Sequence, residues 1–401
     1  MTSRRARAVV SAPPRRGVGG FTFMEVLVVM AVAAVLLGLG IGFLANVGRA
    51  SLATQASSML AEAGQRCLNQ SAGGKRAILE VRAVAPPGEN ERIEVRTAVQ
   101  RTVLTANFEA LAPDRAETDW FINANEPTAA TVNGPVQVEL AGRVGACARL
   151  QRGGSIEYGT RSGFAMTDGL EIEVDVKPEV AGGRMVVLRG EDEGRLLWEL
   201  ALNPVVGRTQ AFDVELRVSS VPADAAEALP GAPEDLRTAG APVAAGVWSR
   251  LRAVWDGVDS SLQVDGVERK KVERSRSDAP RRGRRLYVPP SGVVRVLTGP
   301  SYAGSVDTLT MSGIFRNDED SRRLPYGVTL VRTPLPLRVV FSNGRLDPTV
   351  HARDVEVRLT GPGEVETGGY TVVRYGLYGS LPPPYRVEPS VTPGAAMGDG
   401  P

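Results

Sequence analysis

The sequence predicts an α+β protein: a long amino-terminal helix packed on a small antiparallel sheet, with an all-β sandwich inserted into that sheet. Three observations predict it. Residues 26–44 are a continuous apolar run, and beyond it an apolar stripe continues at helical spacing to Cys67. Short alternating runs lie on both sides of residues 155–316, as strands of one sheet would. Inside that interval, period-two strands recur at the spacing of a sandwich.

At 401 residues there is room for two or three domains. Lys and Arg number 47 against 45 Asp and Glu, a net charge of +2, so nothing global favours nucleic acid or an acidic substrate. The first 20 residues hold Arg4, Arg5, Arg7, Arg15 and Arg16, then Gly19-Gly20-Phe21-Thr22-Phe23-Met24-Glu25. The apolar run that follows reaches the roughly 20 residues a membrane-crossing helix needs. The basic end predicts a cytoplasmic amino terminus and export of the rest, a single-pass inner-membrane protein. Glu25 is the lone charge near the start of the run, favoured by the helix dipole but in need of an opposite charge if surrounded by apolar side chains. Gly38, Gly40 and Gly42 each lower helix propensity by about 1 kcal/mol relative to Ala and let helices approach closely. After the run, Leu52, Ala56, Met59, Ala63 and Cys67 form the stripe, and Gly73-Gly74 ends the helix.

A short basic leader, Gly20-Phe21, three residues, Glu25 and an apolar helix together resemble a type IV prepilin, the class that includes the pseudopilins of type II secretion. The resemblance implies cleavage by prepilin peptidase between Gly20 and Phe21 and N-methylation of Phe21. It also implies pairing of Glu25 with the amino group of a neighbouring subunit, and assembly with other pilin or pseudopilin subunits in the inner membrane. The implied function is protein transport or pilus building, and a bulky inserted domain, which would crowd its neighbours if repeated along a filament, favours a minor or tip subunit over a major one.

The chain then offers strands at 77–84, 92–99, 102–108 and 136–140, punctuated by Pro86-Pro87-Gly88 and Asn133-Gly134. From residue 155 the texture changes. Leu170-Glu171-Ile172-Glu173-Val174-Asp175-Val176-Lys177-Pro178 alternates strictly, and runs at 184–188, 196–202 and 212–218 follow. An Ala- and Pro-rich linker, 221–245, precedes Gly246-Val247-Trp248, Asp256-Gly257 and Val264-Asp265-Gly266, the Asp-Gly pairs marking hairpin turns. With the late strand Val306-Asp307, these pieces resemble a laminin-G-like, or concanavalin A-like, jelly roll, a family match that speaks to fold more than to function. Runs at 327–332, 337–341, 355–359 and 370–375 resume afterwards, and two of them resemble the last strands of H-type minor pseudopilins. The expected organisation is therefore leader 1–20, helix 21–74, first sheet part 75–154, jelly-roll insertion 155–316, second sheet part 317–381 and a disordered tail 382–401. An insertion is preferred to a tandem array because four strands alone have little core.

For chemistry, Glu171, Glu173 and Asp175 alternate on one strand and so share a face. Glycosidic cleavage needs two suitably separated carboxyls, but the order departs from that of concanavalin A-like hydrolases, and a solvated face is preferred. No enzyme is expected. His351, the only histidine, has no Cys or His near it in sequence and reads as a surface residue. Laminin-G-like domains often bind calcium, and Asp256, Asp259, Asp265 and Asp307 are available, at a spacing that fits no loop pattern. No other metal or cofactor is expected. Arg269 to Arg285 is a basic run without interleaved aromatics, read as a solvated loop and not a nucleic-acid site. Cys67 and Cys147 allow either one disulfide in an exported protein or two buried thiols. The alternative to the pilin reading is a membrane-anchored adhesin or glycan-binding protein whose jelly roll takes a glycan or protein ligand.

Overall fold

A computed structural model describes residues 23–83, 92–106, 130–180, 183–222, 231–257, 259–273, 284–333, 335–362 and 369–388, with side chains throughout these except at 25, 37–51, 209 and 317–320. The chain separates into two units, Met1–Ser51 and Leu52–Pro401. The first contains α1 (Phe23–Ser71) as far as Ser51, and the second contains the rest of α1 and every strand described. Along the chain these strands are β1 (Arg76–Ala83), β2 (Ile93–Ala106), β3 (Thr131–Asn133), β4 (Val136–Glu139), β5 (Cys147–Leu150), β6 (Ser155–Arg161), β7 (Gly169–Pro178) and β8 (Met185–Asp192). There follow β9 (Arg195–Val205), β10 (Arg208–Val218), β11 (Ser220–Pro222), β12 (Glu234–Arg237), β13 (Val243–Ala244), β14 (Ser249–Trp255), β15 (Asp259–Val264) and β16 (Val267–Glu273). Next come β17 (Arg284–Leu286), β18 (Val294–Thr298), β19 (Gly304–Arg323), β20 (Thr329–Leu330), β21 (Leu337–Ser342), β22 (Arg345–Leu346), β23 (Val355–Thr360), β24 (Tyr370–Tyr375) and β25 (Tyr385–Val387).

Two antiparallel sheets make a sandwich. The larger has 11 strands and runs β16-β15-β14-β7-β19-β2-β1-β21-β22, with β5 attached to β19 and β4 to β5. The other has eight, in the order β12-β10-β9-β8-β18-β6-β3, with β13 on β10. Between them lies the larger core. Leu170, Ile172, Val174 and Val176 of β7 point into it together with Trp198, Leu200 and Leu202 of β9 and Phe212, Val214 and Leu216 of β10. Period-two alternation is the cause: one face of each strand is apolar and the intervening residues face out. Burying each such side chain contributes about 1.5–3 kcal/mol.

A second core lies at the other end of the large sheet. There Ala56, Leu60 and Cys67 of α1 meet Leu79 and Val81 of β1, Phe341 of β21, and Val357, Val373 and Tyr375 of a separate four-stranded sheet, β20-β23-β24-β25. On the reverse face of β1 and β2 the packing is ionic. Glu80 accepts from Arg96 at 2.7 Å and from Arg338 at 3.1 Å, Arg96 lies 3.5 Å from Asp168, and Arg338 lies 2.8 Å from Asp256.

This architecture corrects the expected α+β class. The strands predicted to form a small sheet of their own are hydrogen-bonded into the same sheet as the sandwich, because the 20-residue β19 pairs with β7 over Gly304–Ile314 and with β2 over Leu309–Arg323. Strand pairing dominates the molecule, and the chain is a β protein. The single-pass inner-membrane placement is corrected too. Among the described residues no helix is long and apolar enough to cross a membrane, which says nothing of a β-barrel. With the pilin-type sheet and the crossing helix go the prepilin, pilin, pseudopilin, N-methylation, transmembrane, type II secretion and protein-transport readings. Gly20 and Phe21 lie outside the described residues, as does the side chain of Glu25. The stretch expected to be a disordered tail begins with an ordered strand: β25 pairs with β24, because Tyr385 meets Val372 across the ladder.

Candidate functional site

The four-stranded sheet has one face in the second core. There the hydroxyl of Tyr375 donates to the carbonyl of Leu60 at 2.9 Å, and a side chain at Gly64 would overlap the Tyr375 ring. Alternation places Glu356, Arg358, Tyr370, Arg374 and Tyr385 on the opposite face, where the register sets Glu356 beside Arg374 and Val372 beside both Arg358 and Tyr385.

A cleft of about 640 Å³ opens on this face. Its floor is Glu356, Arg358 and Arg374, and its walls come from two loops, Arg332 with Thr333 after β20, and Ala352 to Asp354 before β23. Arg374 grips one oxygen of Asp354 through Nε and Nη2, at 2.8 and 2.5 Å. The other oxygen of Asp354 accepts the Leu377 N–H at 2.8 Å. That N–H, and then Arg374, hold the Asp354 carboxyl below the usual range, so it orients Arg374 and is no proton donor. Arg358 pairs with Glu356 at 3.1 Å and lies over Tyr370, 5.4 Å from the ring centroid. Arg332 and Arg353 are exposed, and among the described residues neither has an ion-pair or hydrogen-bond partner. Arg332 holds a φ of 51°, a left-handed conformation uncommon outside glycine.

The residues singled out from sequence lie elsewhere. Glu171, Glu173 and Asp175 do share the outer face of β7, but that face is filled with guanidinium. Glu171 accepts from Arg252 at 2.6 Å and Gln100 at 2.7 Å, Glu173 lies 3.5 Å from Arg250, and Asp175, fully buried, takes Arg250 at 2.8 Å and Arg143 at 2.9 Å. Each of the three thus faces a guanidinium group, Glu173 the most loosely. Three of the four aspartates considered for calcium are held at separate places: Asp256 by Arg338 and the Asp259 N–H, Asp265 by the Arg250 N–H, and Asp307 by the N–H groups of Val144 and Thr308. Among the described residues no three His, Cys, Asp or Glu gather in a metal-binding group. Cys67 and Cys147 are both buried free thiols, Cys67 in the second core and Cys147 on β5, where burial and Glu139 push its pKa up to about 11. His351 is half-buried, not a surface residue: its Nε2 accepts the Val340 N–H at 2.9 Å, and burial lowers its pKa. Of the basic run, Arg269, Lys270 and Lys271 stand exposed on the edge strand β16, Arg284 is spent on Glu234 at 2.6 Å, and residues 274–283 lie outside the described residues.

Sequence reasoning missed the cleft. Arg358 and Arg374 did show the outward phase of their strands, but Arg332 and Arg353 sit in loops, where no periodicity marks a residue.

No family model and no curated protein matches the chain. Several solved structures resemble part of it. Domain 4 of AbnA, a GH43 extracellular arabinanase from Geobacillus stearothermophilus, solved with arabinotriose, is 16% identical, with 53% of this chain and 93% of that one covered and a TM-score of 0.37. The Ruminococcus gnavus IT-sialidase CBM40 bound to α2,3-sialyllactose is 12% identical over 41% of this chain and 88% of that one, TM-score 0.31. A botulinum neurotoxin type C structure is 7% identical over 52% and 47%, TM-score 0.33, so the chain spans about half the length of that relative.

Proposed function

We propose that this chain is a non-catalytic, glycan-binding β-sandwich protein whose binding site is the cleft over β23 and β24. The observation that supports it is the lining of that cleft: four guanidinium groups, two of them fixed by carboxylates, around a volume of about 640 Å³, within the range of about 300–1,000 Å³ that small ligands occupy. Sugars offer pairs of hydroxyl oxygens that planar guanidinium forks can bridge. Because Asp354 and Glu356 each face an arginine, the cleft binds without the separated acid and base that cleavage requires.

The test is titration calorimetry and a glycan array with the full chain. Binding that falls tenfold or more in Arg374→Ala, with the melting temperature held, is the expected result. An array without a ligand, or a ligand whose affinity is unchanged in both Arg374→Ala and Arg358→Ala, overturns the reading.

A further inference from the structure

We propose that the sugar taken by this cleft is an acidic one, its anionic substituent held between Arg332 and Arg353; this rests on the glycan reading above. Four guanidinium groups line the cleft against two carboxylates, and both carboxylates are already consumed by Arg358 and Arg374. The surplus is Arg332 and Arg353. Each presents five N–H donors and no acceptor, and among the described residues nothing in the protein takes them up. A fork of this kind matches a carboxylate or sulfate bidentately, and such charge-assisted bonds are roughly twice as strong as neutral ones.

The backbone of Arg332 adds an independent observation. Its φ of 51° costs on the order of 1 kcal/mol for a residue with a Cβ, and strain of this kind collects at binding sites. A glycine there would relieve it. The chain has arginine, set at the wall of the cleft, with the preceding Val331 N–H tied to the Arg358 carbonyl at 2.8 Å. The strained loop is thus pinned to the floor strand that bears the next arginine.

Nucleic acid fits less well. Phosphate tracks recruit about 6–10 contacts along a groove, whereas this is one cleft with two uncommitted cations, enough for a single anionic substituent.

The test uses the full chain and four probes at 50 and 200 mM salt: tri-galacturonate, a sulfated chondroitin tetrasaccharide, neutral galactotriose and a 12-base-pair DNA duplex. The expected result is that one of the two acidic oligosaccharides binds at least tenfold more tightly than galactotriose, and which one it is separates carboxylate from sulfate. That preference should disappear in Arg332→Gly and in Arg353→Gln. Arg332→Gly suits the left-handed backbone and serves as the folded control. Equal binding of galactotriose and both acidic probes overturns the acidic preference and leaves the glycan reading standing. Acidic binding unchanged in both variants moves the site elsewhere and overturns the proposal, as does duplex DNA binding more tightly than either oligosaccharide. No binding of any sugar overturns both readings.

Discussion

Val340 gives its backbone N–H to Nε2 of His351, so that nitrogen must be unprotonated in the fold. Burial lowers the pKa of this histidine and Asp347 only partly opposes it, so the unfolded chain binds the proton more readily. Stability from this contact is therefore fully present above the unfolded pKa of about 6.5 and is lost as pH falls through the lower folded value. Thermal melts between pH 5 and 8 should show wild type losing stability on acidification relative to His351→Gln, and parallel curves would refute this. The two cysteines give a second test at the same scale. Both are buried thiols, so neither should react with a thiol reagent in the native protein, and two equivalents should react after denaturation without reductant. Zero equivalents would mean a disulfide. The sequence told little about either residue type, since a lone histidine and two distant cysteines carry no spacing from which burial can be read.

Among elements, the contact of α1 with β24 bears most on the cleft, because Tyr375 anchors the inner face of the strand whose outer face carries Arg374. A methyl group at Gly64 would collide with the Tyr375 ring, so Gly64→Ala should destabilise by about 1–3 kcal/mol through overpacking, against a helix-propensity gain of about 1 kcal/mol. A rise in melting temperature would show that α1 can shift away from the sheet at little cost. Strands were the legible part of this chain: Ile172, Val174 and Val176 alternate in sequence and do fill the core. What was not legible is which strands share a sheet. Ladder partners of β19 lie up to about 230 residues away, Arg323 opposite Glu94 and Arg322 opposite Val95, and no local pattern encodes such a pairing. The cleft was lost for a related reason, because its two loops meet only after β20 and β23 pair.

At the scale of the molecule, the buried ionic group on β1, β2 and β21 ties the end of the large sheet bearing α1 to segments of the sandwich. Glu80 is held well below the usual carboxylate range: burial alone would raise it, and Arg96 followed by Arg338 more than reverses that. Removing its charge leaves Arg96 and Arg338 with one carboxylate each, Asp168 and Asp256, so Glu80→Gln should cost up to about 3–5 kcal/mol, the penalty of breaking a buried pair. Urea melts measure it, and a change under 1 kcal/mol on a scale where exposed pairs give about 0–1 would mean that water reaches the site. Because the folded pKa lies below the unfolded one, this contribution is present above about pH 4.3 and is lost only as pH falls further toward the folded value.

One strand passes through both halves of this design. Since β19 is hydrogen-bonded to β7 in the sandwich and to β2 beside the second core, neither half can open its ladder without exposing amides of the other. The two cores are coupled like lengths of rope spliced on a common yarn. Amide exchange along Gly304–Arg323 should therefore proceed only through complete unfolding, at one rate from end to end, so that the arginine cleft inherits the lifetime of the sandwich whose large sheet backs it.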